Sequence, residues 1–189
     1  MDIDFESYIR GSEPNKREKA SAWKTAIGLQ AVDGLRTSDY LKDTAIKHIE
    51  GDISIDEVKK LINGYYQSKT VRTLKDEETE EADKVSANIA RILNEQSFAF
   101  SVTGFTSIHR RLFEGIFKFA GKIRNYDITK KEWVLRGDTV LYVNSEDLHK
   151  ALEYDLEQEK NFSFKGLSMD DIVVPVSYTH LRAHETLRH

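Results

Sequence analysis

The 189-residue chain contains no cysteine, which excludes disulfides, thiolate nucleophiles and cysteine-based metal sites and makes a reducing, cytoplasmic setting the expected one. It has only two prolines, Pro14 and Pro175, both near the ends, so the middle lacks the residue that interrupts helices. Its apolar runs are a few residues long, far short of the ~20 that a membrane-spanning helix needs. No strong charge of either sign is present: 28 Lys and Arg against 32 Asp and Glu leave a net −4. Such a balance builds no field for gripping nucleic-acid phosphates or anionic lipid. The opening MDIDFESYIR is acidic and broken by charge, whereas a signal peptide has a basic start and an apolar stretch. The expectation is a soluble protein that binds neither nucleic acid nor membrane.

What is present is enough to build a core. Hydrophobic residues make up 39% and charged residues 32% of the chain, the proportions of an ordinary globular domain. Apolar spacing is helical over most of the middle. Trp23, Ile27 and Ala31 fall four apart, and Ile55, Val58, Ile62 and Tyr65 mark a second helix behind a capping box of Ser54 and Glu57. Gly51-Asp52 separates that helix from an earlier one around Tyr40 to Ile49. The expected organisation is an N-terminal tail over 1–15, a helical unit over 16–69, and a charged, solvated linker over 70–81 that includes LKDEETEE.

Beyond the linker, Val85, Ile89, Ile92 and Leu93 define another helix. Ile108, Leu112, Phe113, Ile116, Phe117 and Ala120 define a strongly apolar one, expected at the centre of the main packed unit over 100–172. After Arg124 the rhythm changes. Glu132 to Leu135 and Thr139 to Val143 are rich in strand formers and flank Gly137-Asp138, the pattern of a β-hairpin. Asn144 or Ser145 then caps a helix carrying Leu148, Leu152 and Leu156, and Ser168 with Asp171 opens one more. From Tyr178 the string YTHLRAHETLRH has no helical stripe and holds three of the six histidines. VSYTHLRAHET resembles translated read-through of sequencing adaptors, so 178–189 is expected to be non-native.

The segment IHRRLFEGIFKFAGKIR, Ile108 to Arg124, resembles the signature of the Fic (Fido) family, in which an aliphatic-aromatic helix ends in an Ala-Gly-x-x-Arg step. The order of the next segments is similar as well: EWVLRGDTVLYV in the position of the family's flap, then DLHKALEYDLEQEK, then GLSMDDIV. The resemblance covers about residues 80 to 174. It implies a mainly α fold, a helical bundle of Fic type with one small β-hairpin, incomplete at its C-terminus. It also implies transfer of AMP from ATP to a Ser, Thr or Tyr hydroxyl of a target protein in the complete molecule, with Mg²⁺ as the metal.

That chemistry needs a histidine base, backbone N–H groups around the phosphates, an acid for the metal and an arginine acting together. The family carries them in a loop HxFxxGNxR. None of the ten glycines here is followed by asparagine. The expectation is therefore that residues 82–177 are the N-terminal part of a Fic domain truncated before its loop. No residue is assigned a catalytic or metal-binding role, and neither ATP nor Mg²⁺ is expected to bind this chain well.

The resemblance implies further roles. Glu132, Trp133, Val134, Leu135, Thr139, Val140, Leu141 and Tyr142 form the flap that docks the target protein, with Gly121 and Arg124 as the structural motif. The unit over 16–69 resembles a VbhA-like antitoxin region, notably in IEGDISIDEVKKLINGYY, but the inhibitory pattern (S/T)xxxE(G/N) is absent. Glu50-Gly51 has Ile46 four residues before the glutamate, and Asp33-Gly34 has Leu29 there. A non-catalytic, antitoxin-like binding module is the alternative function, and homo-oligomerisation remains open.

Plainer readings stand beside these. His109 reads as a partly exposed helical histidine, Gly121 as a helix end, and Arg124 as a cap for the last carbonyls or an anchor for the flap. His180, His184 and Glu185 have the i, i+4 spacing of a metal-binding helix within the non-native tail and carry no assignment.

Overall fold

The computed structural model describes residues 5–70, 73–95, 99–131, 139–163 and 165–168. Among these the chain is mainly helical: α1 (Phe5–Gly11), α2 (Pro14–Val32), α3 (Asp39–Glu50), α4 (Ile55–Gln67), α5 (Leu74–Leu93) and α6 (Val102–Phe113), then strands β1 (Thr129–Lys131) and β2 (Thr139–Leu141), then α7 (Leu148–Asn161). It divides into two compact units, Met1–Ser97 with Arg111–Lys118 and Phe98–Arg110 with Phe119–His189.

Local sequence accounts for the helix boundaries in the first unit. Pro14 sits at the start of α2, where its missing N–H costs nothing. Ser38 caps α3 by accepting from the Leu41 N–H, and Gly51 ends that helix at φ 93°. That left-handed conformation is one a side chain resists. Ser54 and Glu57 form the capping box of α4. A second box, Thr73 with Asp76, opens α5.

This second box corrects the expected linker. Residues 74–81 are the first two turns of α5, because acidic side chains near a helix N-terminus face the positive end of the helix dipole. Asp76 is held well below the usual carboxylate range, chiefly by the Lys69 ammonium and then by Thr73. Residues 5–11 of the expected tail are likewise helical, with Phe5 buried.

The core of the first unit comes from all five of its leading helices: Phe5 (α1), Trp23 and Ala26 (α2), Leu41, Ala45 and Ile49 (α3), Val58 and Ile62 (α4), and Ala87 and Ala90 (α5) are buried together. Of the expected α2 stripe, Trp23 is buried, Ile27 is partly buried and Ala31 is exposed. Three smaller residues, Ala20, Ala22 and Ala26, complete the buried face.

Polar residues also lie inside. The Trp23 indole N–H donates to His48 Nδ1 at 3.0 Å. Asp83, fully buried on α5, accepts from the Ser38 N–H at 2.8 Å, the Ser38 hydroxyl at 2.5 Å and the Tyr66 hydroxyl at 2.7 Å. One carboxylate thus ties the start of α3 to α4 and α5.

The expected central helix through Ala120 is corrected as well. α6 ends at Phe113, and Ile116, Phe117 and Ala120 lie beyond it, all half-buried. The largest buried cluster is accordingly in the first unit and not over 100–172. In the second unit Leu148, Leu152 and Leu156 are buried along α7, whose N-cap is Asp147 and not Asn144 or Ser145. β1 and β2 pair antiparallel with Thr129 opposite Leu141 and Lys131 opposite Thr139. Thr139 to Leu141 of the expected second strand are thus in β2, whereas Glu132 to Leu135 and Gly137-Asp138 lie outside the described residues, as do Asp171 and the tail over 178–189.

Candidate functional site

Of the residues singled out by resemblance, Gly121 packs against α6 and Arg124 lies at the ends of the β1–β2 pair. Gly121 has φ 77°, and a Cβ there would stand 2.6 Å from the Arg110 Cβ and 3.2 Å from the Thr106 carbonyl oxygen. Only glycine fits both the backbone conformation and the space. Gly121 does not end α6, which stops eight residues earlier at Phe113. Instead its N–H donates to His109 Nδ1 at 2.7 Å.

His109 is therefore an acceptor. It is 4% exposed, in contrast to the partly exposed histidine expected, and burial lowers its pKa and keeps the imidazole neutral. Phe119 lies beside it, ring centroids 6.2 Å apart.

Arg124 is also buried, at 7% exposure. Its guanidinium donates through Nη1 to the Tyr126 carbonyl at 2.6 Å and through Nη2 to the Val143 carbonyl at 2.5 Å. A planar fork reaching one carbonyl before β1 and one after β2 holds the outer ends of the strand pair together. The last carbonyls of α6 are not its partners in these two bonds.

Asp127 adds a second clasp that sequence reasoning missed. Its Oδ1 accepts from the Ser145 N–H at 2.7 Å. The Ser145 backbone and side chain, with Arg124 as a lesser influence, hold the Asp127 carboxyl below its ordinary range. The signal was present as an Asx residue just before a strand, but its partner 18 positions away was not legible.

Of the expected flap residues, Thr139, Val140 and Leu141 form β2 and Tyr142 is half-buried just after it. Glu132, Trp133, Val134 and Leu135 lie outside the described residues. The sheet has two strands, so β1 and β2 each have one hydrogen-bonded neighbour among the described residues.

In the first unit, Glu50 of the near-match to the inhibitory pattern is already engaged. Its carboxylate accepts from the Tyr8 hydroxyl at 2.6 Å and from Lys16 Nζ at 2.5 Å. Lys16 first, and Tyr8 next, hold it below the usual carboxylate range. It fastens α1 and α2 to the end of α3.

Among the described residues no three acidic or histidine side chains gather as a metal site, and no helix is long and apolar enough to cross a membrane. No family model, no curated protein and no solved structure matches the chain.

Proposed function

We propose that residues 82–177 are the flap-bearing front of a Fic-type protein AMP-transferase, and that residues 16–69 are an appended helical regulatory region. The complete protein transfers AMP from ATP to a hydroxyl of a target protein, and the target docks by adding an extended segment to the hairpin. The observation that carries this reading is the double clasp at the hairpin base, Arg124 to Tyr126 and Val143 with Asp127 to Ser145. A docking strand must be presented at a fixed angle, and a buried guanidinium holding both ends supplies that angle at little entropic cost on binding. The run Ile108 to Arg124 supports the same reading through its likeness to the family signature.

The residues present do not fit ATP or Mg²⁺. There is no Gly-Asn step to line a phosphate site in the sequence, and no gathered acids among the described residues. No step is therefore assigned to this chain beyond holding and presenting the flap, and the base, phosphate cradle and charge-neutralising arginine belong to a loop it does not contain. A second reading, a non-catalytic binding module, is favoured by two large apolar side chains at the end of α2, Leu29 at 48% and Val32 at 83% exposure.

The test uses ATP labelled at the α-phosphate, a lysate as the source of targets, and two proteins. One is the 189-residue chain; the other replaces everything after Val174 with the downstream reading frame. The expected result is silence from the first and labelling by the second, since losing all the catalytic groups together forfeits at least ~10⁶-fold in rate. Labelling by the short chain would place the active site within these residues. Silence from the extended chain, even after residues 1–69 are removed, would favour the binding module.

A further inference from the structure

His109 and Gly121 form a joint between α6 and the segment that leads into the hairpin. The Gly121 N–H donates to His109 Nδ1 at 2.7 Å. An imidazole nitrogen that accepts carries no proton, so neutral His109 holds its ring proton on Nε2. The joint has no slack: Gly121 sits at φ 77°, and a Cβ there would meet the Arg110 Cβ of α6 at 2.6 Å. Three residues on, Arg124 donates to the Tyr126 and Val143 carbonyls. The guanidinium that holds the ends of the strand pair therefore comes from a segment fastened to α6 at Gly121.

His109 is the titratable member of this joint. It is 4% exposed, and burial lowers its pKa from 6.5. A proton on Nδ1 would replace the acceptor with a second donor, leaving two N–H groups facing each other across the joint. It would also put a charge where burial disfavours one. Phe119 and the turn at Gly121, which the described residues place against the ring, carry no acid. The charged residues next to them, Arg110 on α6 and Lys122 and Arg124 after the turn, are all cations. A charged His109 must leave the site or let the turn swing away.

We propose that His109 is a proton-sensitive latch: uptake of a proton at Nδ1 breaks its bond to Gly121 and frees the turn, so that the β1–β2 pair loses its fixed position against α6. The proton comes from solvent, and water replaces His109 as the acceptor for the Gly121 N–H. The latch is closed above 6.5, the ordinary value, and opens as pH falls below it, because the open state takes up a proton that the closed state refuses. The Asp127 carboxyl is held below its ordinary range and so keeps accepting from Ser145 in mild acid. For a target that docks on the hairpin, the outcome is loss of the presented strand without unfolding. Only this last consequence rests on the docking reading.

The test is amide hydrogen exchange by NMR on the full ¹⁵N-labelled chain from about pH 7.5 to about 5, a range that stays above the His48 pKa of about 4. Corrected for the intrinsic rate, protection at 121–124, 129–131 and 139–141 should fall up to about tenfold for each pH unit below 6.5. Ring nitrogen shifts should show His109 Nδ1 unprotonated at neutral pH. His109→Asn sets an oxygen acceptor close to where Nδ1 stands and does not titrate, so its protection should be flat with pH, with circular dichroism showing it folded. Flat protection in the native chain, a proton on Nδ1 at neutral pH, or the same slope in His109→Asn would overturn the latch. A slope confined to 121–124 would overturn its link to the strands. If His109→Asn does not fold, the two readings on the native chain decide. No target enters any of these measurements, so the latch can fail while the docking reading stands, and the reverse.

Discussion

Trp23, Leu41, Val58 and Ile62 are sealed from solvent in the first unit, whereas the buried side chains among the described residues of the second unit are Leu148, Leu152 and Leu156 on one helix together with the polar His109 and Arg124. Apolar burial is non-directional and adds up over many side chains. A guanidinium or an imidazole acts through two or three bonds of fixed geometry. The first unit should therefore lose stability as a block, and the second should open locally while the first stays folded. The β1–β2 pair, which bears most on the proposed function, is held at its outer ends by the polar bonds of Arg124 and Asp127.

The largest effect is expected inside the first unit. Trp23→Ala removes the biggest fully buried side chain and the hydrogen bond to His48. It should cost about 3–5 kcal/mol in urea unfolding. Hydrogen exchange at β1 and β2 should change little, and if both units collapse together the division between them is wrong.

Acid comes next. Burial, aided by Lys19, lowers the His48 pKa from 6.5 to about 4. The unfolded chain then binds a proton that the folded chain refuses, so this contribution to stability is complete above pH 6.5 and lost as pH falls towards 4. The whole change is up to about 3 kcal/mol. His109 is lowered by burial too, so acid acts on the second unit with the same sign. Thermal melts across this pH range on the native chain and on His48→Gln separate the two, because the variant should lose most of the pH dependence of the first unit.

Arg124→Met should break both bonds to Tyr126 and Val143. About 2–3 kcal/mol of local stability is expected to go, read as faster amide exchange in 129–131 and 139–141 with the main melting transition unmoved. If exchange there is unchanged, Arg124 does not hold the hairpin.

The smallest effects sharpen the contrast through two glycines, both at positive φ. At Gly51 a Cβ meets nothing within 4 Å, and at Gly121 it meets Arg110 at 2.6 Å. Gly51→Ala should cost about 1 kcal/mol, the backbone term alone. Gly121→Ala should cost about 2 kcal/mol, confined to the second unit, because Arg110 must also shift. Equal losses would mean that the turn at Gly121 moves freely.

Helices announced by their own caps and stripes were legible from sequence. Ser54 with Glu57, Gly51 and the leucines at 148, 152 and 156 each specify local structure through partners within four residues, and each stands where the pattern put it. The acidic run after Thr73 was misread because its meaning turned on one further cap. Thr73 with Asp76 converts a stretch that reads as solvated linker into the start of α5. Gly121 and Arg124 stood out in the sequence as residues, and the partners they take, His109 for one and the Tyr126 and Val143 carbonyls for the other, did not.

The sequence by itself determined a mainly helical chain without cysteine chemistry, the capped start of α4, the boundary between α3 and α4 at Gly51, and the alternation of strand formers after Arg124. Those properties are set by side chains acting on nearby backbone, which periodicity and caps express directly. The tertiary structure alone decided that Asp83, Asn88, His109 and Arg124 are buried, that Arg124 reaches Val143 and Asp127 reaches Ser145, and that His109 accepts from Gly121. Polar residues carry no periodic sign of burial, and what makes burial tolerable for them is a partner that only the folded chain brings near.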